Sequence, residues 1–534
     1  MILGLAAAVL FVLLASVRLG AQGPQYDELH QATGAFTWLG SPPEMFCIAA
    51  LDRVCVLNTT YSGALKTHLF GLSLRLGDGD FTLVRWRLFG ILLLALGIAI
   101  FPVLARPALP LWSLAVFLAL LLTDVSVLVM GRHDWGPVNL SLVLRLVLLG
   151  LWLRGAASPR PSAWNTFWLG ALVGIAVFEK LSACLLVLPL AAMVLADRRR
   201  RRRSHFLAAA AGVALGAAPL AAVNAASLLM TRELLSLRNL STPIHRSLAG
   251  FTDYLGDLLS LGQGSQAAGF ILGQESWPRA AFGEGVFLGA ALLLVAMAWM
   301  GKADPRSLHL RLAGVALAGY LAVGVGLYLL PRPTWIHHWM LATPFQYVAL
   351  ALALAGLARK THDGEPRRRF FAVGLIVLAT LWLGIRIPNV IAVERALVRG
   401  SAALAWSRSL TRLGTFAAGK AENAVFIASD WGVATQIYAF ADGRPGLVHE
   451  PFWDYPGPER LREIRERNPK PLLYLVRLDP PAAVRREAMR RIERDLATDP
   501  SWIEVPPEPE VARLPGVKVR KFLAAGPPGG TPGP

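Results

Sequence analysis

The apolar residues of this 534-residue chain fall into long uninterrupted blocks, and this feature constrains the fold more than any other. A helix needs roughly twenty consecutive apolar residues to cross the hydrocarbon layer of a bilayer. Only 16% of the residues are charged, whereas about a quarter is usual in a soluble globular protein. The pattern therefore predicts a chain that is mostly embedded in a membrane.

About eleven blocks have the length and composition of membrane-spanning helices. They lie near residues 1–17, 87–105, 108–130, 137–153, 163–178, 181–196, 206–230, 283–301, 309–330, 338–358 and 370–388. The first block has no basic segment before it and no clean cleavage site, so we interpret it as a membrane helix rather than a signal peptide. The sequence predicts an all-α polytopic membrane domain over residues 1–390.

Basic residues are concentrated in alternate connections between these blocks, as in the run of six arginines from Arg198 to Arg203. Short loops rich in Lys and Arg favour the cytoplasmic side. We therefore interpret the net charge of +18 as a topology signal rather than as nucleic-acid binding. With the N-terminus inside, eleven crossings place the C-terminus outside, and the Ala-, Leu- and Arg-rich composition is compatible with a bacterial inner membrane.

Three regions are expected on the outer side: loops at 18–86 and 231–282, and everything after residue 390. Within 391–525, strand patterns alternate with helix patterns, which predicts a small extracytoplasmic α/β domain. The Gly- and Pro-rich tail at 526–534 is predicted to be disordered. Cys47 and Cys55 share the first outer loop, where an oxidising compartment allows a disulfide, and the sequence leaves their pairing open.

The first outer loop begins with an acidic group that contains Asp27, Glu28 and His30. On a helix, Asp27 and His30 share a face. A carboxylate beside a histidine at a membrane surface is suited to act as a general base or to hold a metal ion. Alternatively, Asp and Glu favour the first turn of any helix, here after Pro24. Both interpretations stay open.

Further polar groups follow at the same predicted surface. Arg132 and Asp134 lie between two spans, where Asp134 is alternatively a cap of the helix that begins near residue 137. Lys180 follows another span, and His337 and His338 precede a later one. Adjacent histidines point in different directions on a helix, so we do not expect these two alone to share a metal ion.

Two charged residues lie inside predicted spans. Asp124 and Arg145 are both expected roughly 10–13 Å below the outer ends of neighbouring helices, from the rise of 1.5 Å per residue. Isolated charges are costly in a membrane. We therefore expect these two to form a structural ion pair.

The sequence resembles the GT-C membrane glycosyltransferases of the protein-mannosyltransferase and aminoarabinose-transferase type over roughly residues 1–390. That family has one helix and then an Asp-Glu pair, as at Asp27 and Glu28, often followed by a histidine, here His30. The segment 61–66, which ends in Lys66, is similar to the family's stretch before a juxtamembrane helix, although both of its prolines are missing. Other motifs are matched by Arg85, by Arg132 and Asp134, by Gly170, Gly174 and Lys180, and by His337 and His338 leading to Pro344.

The resemblance implies transfer of a sugar from a polyprenyl-phosphate donor to a lipid, polysaccharide or protein acceptor on the outer face, with inversion. It implies that Asp27 is the catalytic base, supported by Glu28 and His30. The implied donor-phosphate contacts are Lys66, Arg85, Arg132 and Lys180, and the other implied site residues are Asp134, His337 and His338. Some relatives use a divalent metal ion. Its ligands here would come from Asp27, Glu28, His30 and Asp134, and the sequence leaves this undecided.

Two other functional classes remain as alternatives. A transporter or flippase of a lipid-linked or small anionic substrate commonly has matched, broken helices in two halves. We find no matched halves, and the polar groups gather at one surface. A non-catalytic membrane protein would use its α/β domain for binding, for example through the loop Ser429–Gly432. The Ser and Asp of that loop are alternatively helix caps.

Overall fold

The helices and strands follow the predicted blocks in order. The computed structural model describes residues 1–51, 54–238, 247–260, 265–273, 277–300, 307–330, 336–358, 366–482 and 484–525. The helices of its first half are α1 Ile2–Ala15, α2 Tyr26–Thr33, α3 Leu65–Leu76, α4 Leu83–Ala105, α5 Leu111–Leu122, α6 Val125–His133, α7 Val138–Ala157, α8 Ala163–Glu179, α9 Val187–Ala196, α10 Arg203–Gly216, α11 Ala218–Thr231 and α12 Leu248–Ser260. The remaining helices are α13 Ser265–Leu272, α14 Trp277–Met300, α15 Leu308–Leu329, α16 Ile336–Trp339, α17 Phe345–Ala358, α18 Pro366–Arg399, α19 Arg408–Gly419, α20 Ala434–Phe440, α21 Pro458–Arg467, α22 Arg486–Thr498 and α23 Pro509–Ala512. The strands are β1 Ala49–Leu51, β2 Val54–Thr59, β3 Ser62–Gly63, β4 Ala424–Ala428, β5 Val448–His449, β6 Leu472–Leu478, β7 Trp502–Val505 and β8 Val517–Ala524.

Each predicted span corresponds to an apolar helix or to a bent helix pair. Within the described residues, five helices are long and apolar enough to cross a membrane, and two bent pairs, α5 with α6 and α10 with α11, also pass this test. The bends are 61° and 65°. The shorter apolar helices are Ile2–Ala15, Ala163–Glu179, Leu181–Ala196 and Leu288–Trp299. The prediction of an all-α membrane domain is confirmed.

Contacts divide the chain into two compact units, and the first contains Met1–Leu19, Thr59–Gly63 and Arg87–Arg399. Glycines bring two of its helices, α8 and α10, into close contact. A Cβ atom on Gly174 of α8 would lie 2.3 Å from the carbonyl oxygen of Val213, and one on Gly212 of α10 would lie 2.1 Å from that of Phe167. Small residues four apart allow this approach of two backbones in a membrane. The motif that contains Gly174 therefore packs α8 against α10.

The predicted ion pair between Asp124 and Arg145 is wrong, because each residue has other partners. The Asp124 carboxylate accepts a hydrogen bond from Tyr347 Oη at 2.6 Å, and Arg386 Nη2 lies 4.0 Å from it. Arg386 also donates to Tyr347 Oη at 2.7 Å. Arg145 instead donates to the carbonyl oxygen of Thr343 at 2.7 Å. The partner of Asp124 comes from a helix distant in sequence, and Asp124 itself is the N-cap of α6, at the bend that follows α5.

The second unit contains Gly20–Asn58, Ala64–Trp86 and Gly400–Pro534. Its main sheet has five strands in the described residues, in the order β5-β4-β6-β8-β7. Strands β5 and β6 run parallel to β4, whereas β8 is antiparallel to both β6 and β7. Apolar side chains of the strands and helices form a buried core, among them Ile427, Leu475, Ile492 and Phe522. The α/β prediction is confirmed, and the tail at 526–534 lies outside the described residues.

The order of strands in this sheet reverses at β4. The chain leaves β4 for β5 on one side and then returns to β6 on the other side. In open α/β sheets, a crevice forms at the carboxyl ends of the strands at such a point. The loop Ser429–Gly432 begins at this end of β4, so the loop lies beside the crevice.

The first predicted outer loop supplies the small elements of the same unit. Strands β1 and β2 form an antiparallel pair, and a disulfide joins Cys47 to Cys55, whose Cα atoms are 5.5 Å apart. Helix α3 is tied to α2, because Thr67 Oγ1 donates to the carbonyl oxygen of Gln31 at 2.7 Å. The hydrogen bond from Thr67 fixes the position of α2 relative to α3.

Candidate active site

Asp27 and Glu28 both lie in the first turn of α2, but their side chains have different surroundings. The side chain of Gln25 accepts the backbone N–H groups of Asp27 at 2.6 Å and of Glu28 at 3.2 Å. The carboxylate of Glu28 in turn accepts the N–H of Gln25 at 3.3 Å, which completes a capping box. Glu28 is fully buried, whereas Asp27 is partly exposed. Glu28 therefore stabilises the helix start, and Asp27 is the more exposed of the two residues.

His30 lies against the same turn. Its Nδ1 is 2.5 Å from the carbonyl oxygen of Asp27, and its ring is 5.8 Å from that of Phe46. The side chain is buried. This contact fixes the imidazole against the backbone of the first turn of α2.

The two predicted phosphate contacts of this unit have strong local partners. Lys66 of α3 is fully buried, with its Nζ 3.6 Å from the ring centroid of Trp86, which is a cation–π contact. Arg85 pairs with Asp78 and donates to the carbonyl oxygen of Asp80 at 2.6 Å. The Arg85 hydrogen bond lowers the pKa of the Asp78 carboxyl. Arg85 thus stabilises the loop that precedes α4.

In the membrane unit, Lys180 and His337 converge on Gly136. Gly136 has a φ of +72°, and a Cβ atom added to it would lie 3.3 Å from Lys180 Nζ and 3.5 Å from His337 Nε2. A side chain at this position would therefore displace both groups. The ring of Trp135 lies 4.9 Å from that of His337 and stacks at 4.9 Å on Phe270. We call Trp135, Gly136, Lys180 and His337 the Gly136 cluster.

The backbone around Lys180 is held by a distant loop. Lys180 follows the last residue of α8 in an extended conformation. The N–H of Leu181 donates to the carbonyl oxygen of Tyr61 at 2.9 Å, and Ser62 Oγ donates to that of Glu179 at 3.2 Å. These hydrogen bonds fix the backbone on both sides of Lys180. His338 packs edge-on against His337 at 4.2 Å and extends the aromatic side of the cluster.

Arg132 and Asp134 stabilise helix ends. Arg132 is fully buried, and its guanidinium donates to carbonyl oxygens at and after the end of α1, those of Ala15, Val17 and Arg18. Asp134 accepts two backbone N–H groups at the start of α7, at 2.8 and 3.0 Å. The alternative interpretation of Asp134 as a helix cap is what the structure shows.

Glu28 and Asp134, two of the four side chains that could supply ligands to a metal ion, have other partners in the structure. Among the residues that the structure describes, no three His, Cys, Asp or Glu side chains are grouped so that they could hold a metal ion. The Asp134 carboxylate caps a helix, and the Glu28 carboxylate belongs to the capping box.

Sequence reasoning missed a tyrosine–carboxylate pair next to Asp27. Tyr26 Oη donates to Glu450, with oxygen distances of 2.7 and 2.9 Å. Burial raises the pKa of Glu450 to about 7, against the hydrogen bonds from Tyr26 and Trp453, which lower it. The two residues are more than four hundred positions apart, and no local pattern links them.

Comparison with solved structures decides the fold. Neither protein-family models nor curated proteins match this sequence. The chain superposes over 97% of its length on 97% of ArnT from Cupriavidus metallidurans bound to undecaprenyl phosphate, with a TM-score of 0.58 and 14% identity. The apo form of that ArnT gives a TM-score of 0.56 and 15% identity over the same shares of both chains.

The chain has the ArnT fold. ArnT is an aminoarabinose transferase of the GT-C type, so the resemblance drawn from the motifs is confirmed at the level of the fold. The match also covers the C-terminal α/β domain, for which the sequence offered no motif.

Proposed function

We propose that this chain is a GT-C glycosyltransferase that moves a sugar from a polyprenyl-phosphate donor to an acceptor on the outer face of the membrane. The observation that carries the proposal is the ArnT fold over 97% of the chain. A polyprenyl phosphate is the ligand named for that ArnT. The acceptor is a hydroxyl group of a lipid, a polysaccharide or a protein.

The proposed reaction is one displacement at the anomeric carbon. The acceptor oxygen forms the new bond while the bond from the anomeric carbon to the phosphate oxygen breaks, and that electron pair leaves with the phosphate. Asp27 takes the acceptor proton as general base. The anomeric configuration is inverted, because the attack occurs from the side opposite the leaving group. A donor that is already activated suits an outer face, where ATP and nucleotide sugars are absent.

The departing phosphate needs cationic partners. We propose Lys180 and His337 of the Gly136 cluster for this role, because an ammonium and an imidazole N–H both donate to phosphate oxygens. Lys66 is a further candidate. For Arg85 and Arg132 we propose a different role, holding the loop and the helix end to which they are bonded.

Two matched variants test the base assignment. We expect Asp27→Asn to lower transfer about a hundredfold or more, the range of a lost general base. We expect Glu28→Gln to keep most activity, because Gln also completes a capping box. The measurement is glycosylated acceptor formed by proteoliposomes supplied with labelled undecaprenyl-phosphate sugars. Wild-type activity in Asp27→Asn would remove it as the base, and movement of intact donor between leaflets without product would favour a flippase.

A further inference from the structure

The chain segment that leads to Asp27 is bonded along its length to the C-terminal part of the second unit. Three successive residues are held there, Ala21 and Gly23 by backbone groups and Gln22 by its side chain. The carbonyl oxygen of Ala21 accepts from Arg408 Nε at 2.7 Å. The N–H of Gly23 donates to the carbonyl oxygen of Trp406 at 2.7 Å. The side chain of Gln22, between them, donates to that of Ser401 at 3.2 Å.

The same segment continues along α20. Gln436 Nε2 donates to the carbonyl oxygen of Pro24 at 3.1 Å, and Thr435 Oγ1 donates to that of Tyr26 at 3.3 Å. Both donors are fully buried. The backbone at the start of α2 is therefore hydrogen-bonded to α20, independently of the Tyr26 side chain.

The Tyr26 side chain fills the crevice at the carboxyl ends of β4 and β5. Its ring is 4.9 Å from that of Trp431, which belongs to the loop after β4, and 5.2 Å from that of Phe46. Its hydroxyl is bonded to Glu450, the residue directly after β5. The ring is 2% exposed. Open α/β sheets usually bind a ligand in this crevice. Here the crevice holds the Tyr26 side chain.

We propose that Tyr26 and Glu450 are positioning residues, and that the α/β domain uses its crevice to set the direction of the Asp27 carboxylate. This inference rests on the proposed function, in which Asp27 is the base. It gives the C-terminal domain a defined part in the reaction without direct contact with substrate.

The geometry of a helix explains how the pair acts. Successive side chains on a helix point about 100° apart, so fixing the Tyr26 side chain fixes the rotation of the whole first turn. Asp27 then points away from the crevice, in agreement with its partial exposure. A displacement of about 1 Å at a reacting group is enough to cost roughly a hundredfold in rate.

Three variants and one matched control test the pair. Tyr26→Phe removes the hydroxyl, Glu450→Leu removes its acceptor, and Glu450→Gln keeps a carbonyl oxygen that accepts the same hydrogen bond. The control is Tyr474→Phe, because Tyr474 donates to Glu508 in the same way, with oxygen distances of 2.8 and 2.9 Å. That pair lies in the same domain but belongs to a different part of the sheet.

The first readout is hydrogen–deuterium exchange of the full-length protein in lipid nanodiscs, which needs no substrate. Amides of residues 26–33 should exchange about tenfold faster or more in Tyr26→Phe and Glu450→Leu, because local opening becomes easier. Glu450→Gln and Tyr474→Phe should exchange in α2 like the wild type. Equal exchange in all five proteins would overturn the proposal.

The second readout separates positioning from stability. With labelled undecaprenyl-phosphate sugars, Tyr26→Phe and Glu450→Leu should lower kcat about tenfold or more with KM within about twofold. Glu450→Gln should restore kcat. If Tyr26→Phe does not fold, the two Glu450 variants carry the same comparison, and equal kcat in both of them contradicts the proposal.

Different results would contradict the positioning role of Tyr26 and Glu450 and the proposed function. A wild-type protein that transfers no sugar contradicts the proposed function, while the exchange measurement still decides whether Tyr26 and Glu450 fix α2. A wild-type protein that transfers sugar, with unchanged kcat in Tyr26→Phe and Glu450→Leu, contradicts this inference alone.

Discussion

Asp27 and Glu28 are adjacent acids, and their surroundings give them different roles. The sequence placed both in one helical turn after Pro24 and left open whether they are catalytic or stabilise the helix. The structure assigns the second role to Glu28 through its bond to Gln25. Asp27 is the more exposed of the two residues. Sequence alone could not separate the two, because burial depends on what packs against each face of α2.

Glu450 gives a residue-scale prediction about pH. Its pKa is raised by burial from 4.5 to about 7, so the folded protein binds this proton more tightly than the unfolded chain. The corresponding stability is fully present below about pH 4.5 and is lost as the pH rises through about 7. The loss should be at most about 3 kcal/mol, because one pKa unit corresponds to about 1.4 kcal/mol.

Thermal unfolding in detergent checks this prediction. Between about pH 5 and about pH 8, the unfolding temperature of the wild type should fall relative to that of Glu450→Gln, which has no proton to lose. The Tyr474→Phe variant should follow the wild-type pH profile. Parallel profiles for wild type and Glu450→Gln would show that Glu450 titrates normally.

At the scale of elements, the helices were predictable and their partners were not. A block of apolar residues is a local signal, so every predicted span has a corresponding helix or bent pair. The bend between α5 and α6 was missed, because Asp124 was placed inside a continuous helix rather than at an N-cap. The partner of Asp124 was also missed. Arg386 is the one charged residue of the predicted span 370–388. A lone charge in a span is costly and calls for a partner, and this signal could have identified Arg386.

The Asp124 contact gives an element-scale prediction. Removing one partner of a buried ion pair costs about 3–5 kcal/mol, because the other charge is left uncompensated. We therefore expect Asp124→Ala and Arg386→Ala each to destabilise the protein by about this amount. The double variant should lose less than the sum, with a coupling energy of about 2 kcal/mol.

A double-mutant cycle of reversible unfolding in detergent measures this coupling, and the matched comparison is the cycle of Asp124→Ala with Arg145→Ala. Arg145 is bonded to carbonyl oxygens, including that of Thr343, so its coupling to Asp124 should be the smaller one. A larger coupling to Arg145 than to Arg386 would contradict the arrangement of α6, α17 and α18 described above.

At the scale of the whole molecule, long-range contacts decide the division of the chain. The sequence suggested a membrane domain over 1–390 followed by a separate α/β domain. In the structure, Gly20–Asn58 and Ala64–Trp86 belong to the same compact unit as the residues after Gly400. The bonds from Ala21 to Arg408 and from Tyr26 to Glu450 connect these segments. Such contacts join residues hundreds of positions apart, so no pattern within either segment indicates them.

The proposed function requires this molecule to break the bond between a sugar and a polyprenyl phosphate. The most direct measurement uses proteoliposomes and an undecaprenyl-phosphate sugar with one label in the lipid and another in the sugar. The labels should separate, with free undecaprenyl phosphate appearing at the rate at which labelled sugar enters the acceptor. Labels that stay together while the donor moves between leaflets would contradict the proposed function.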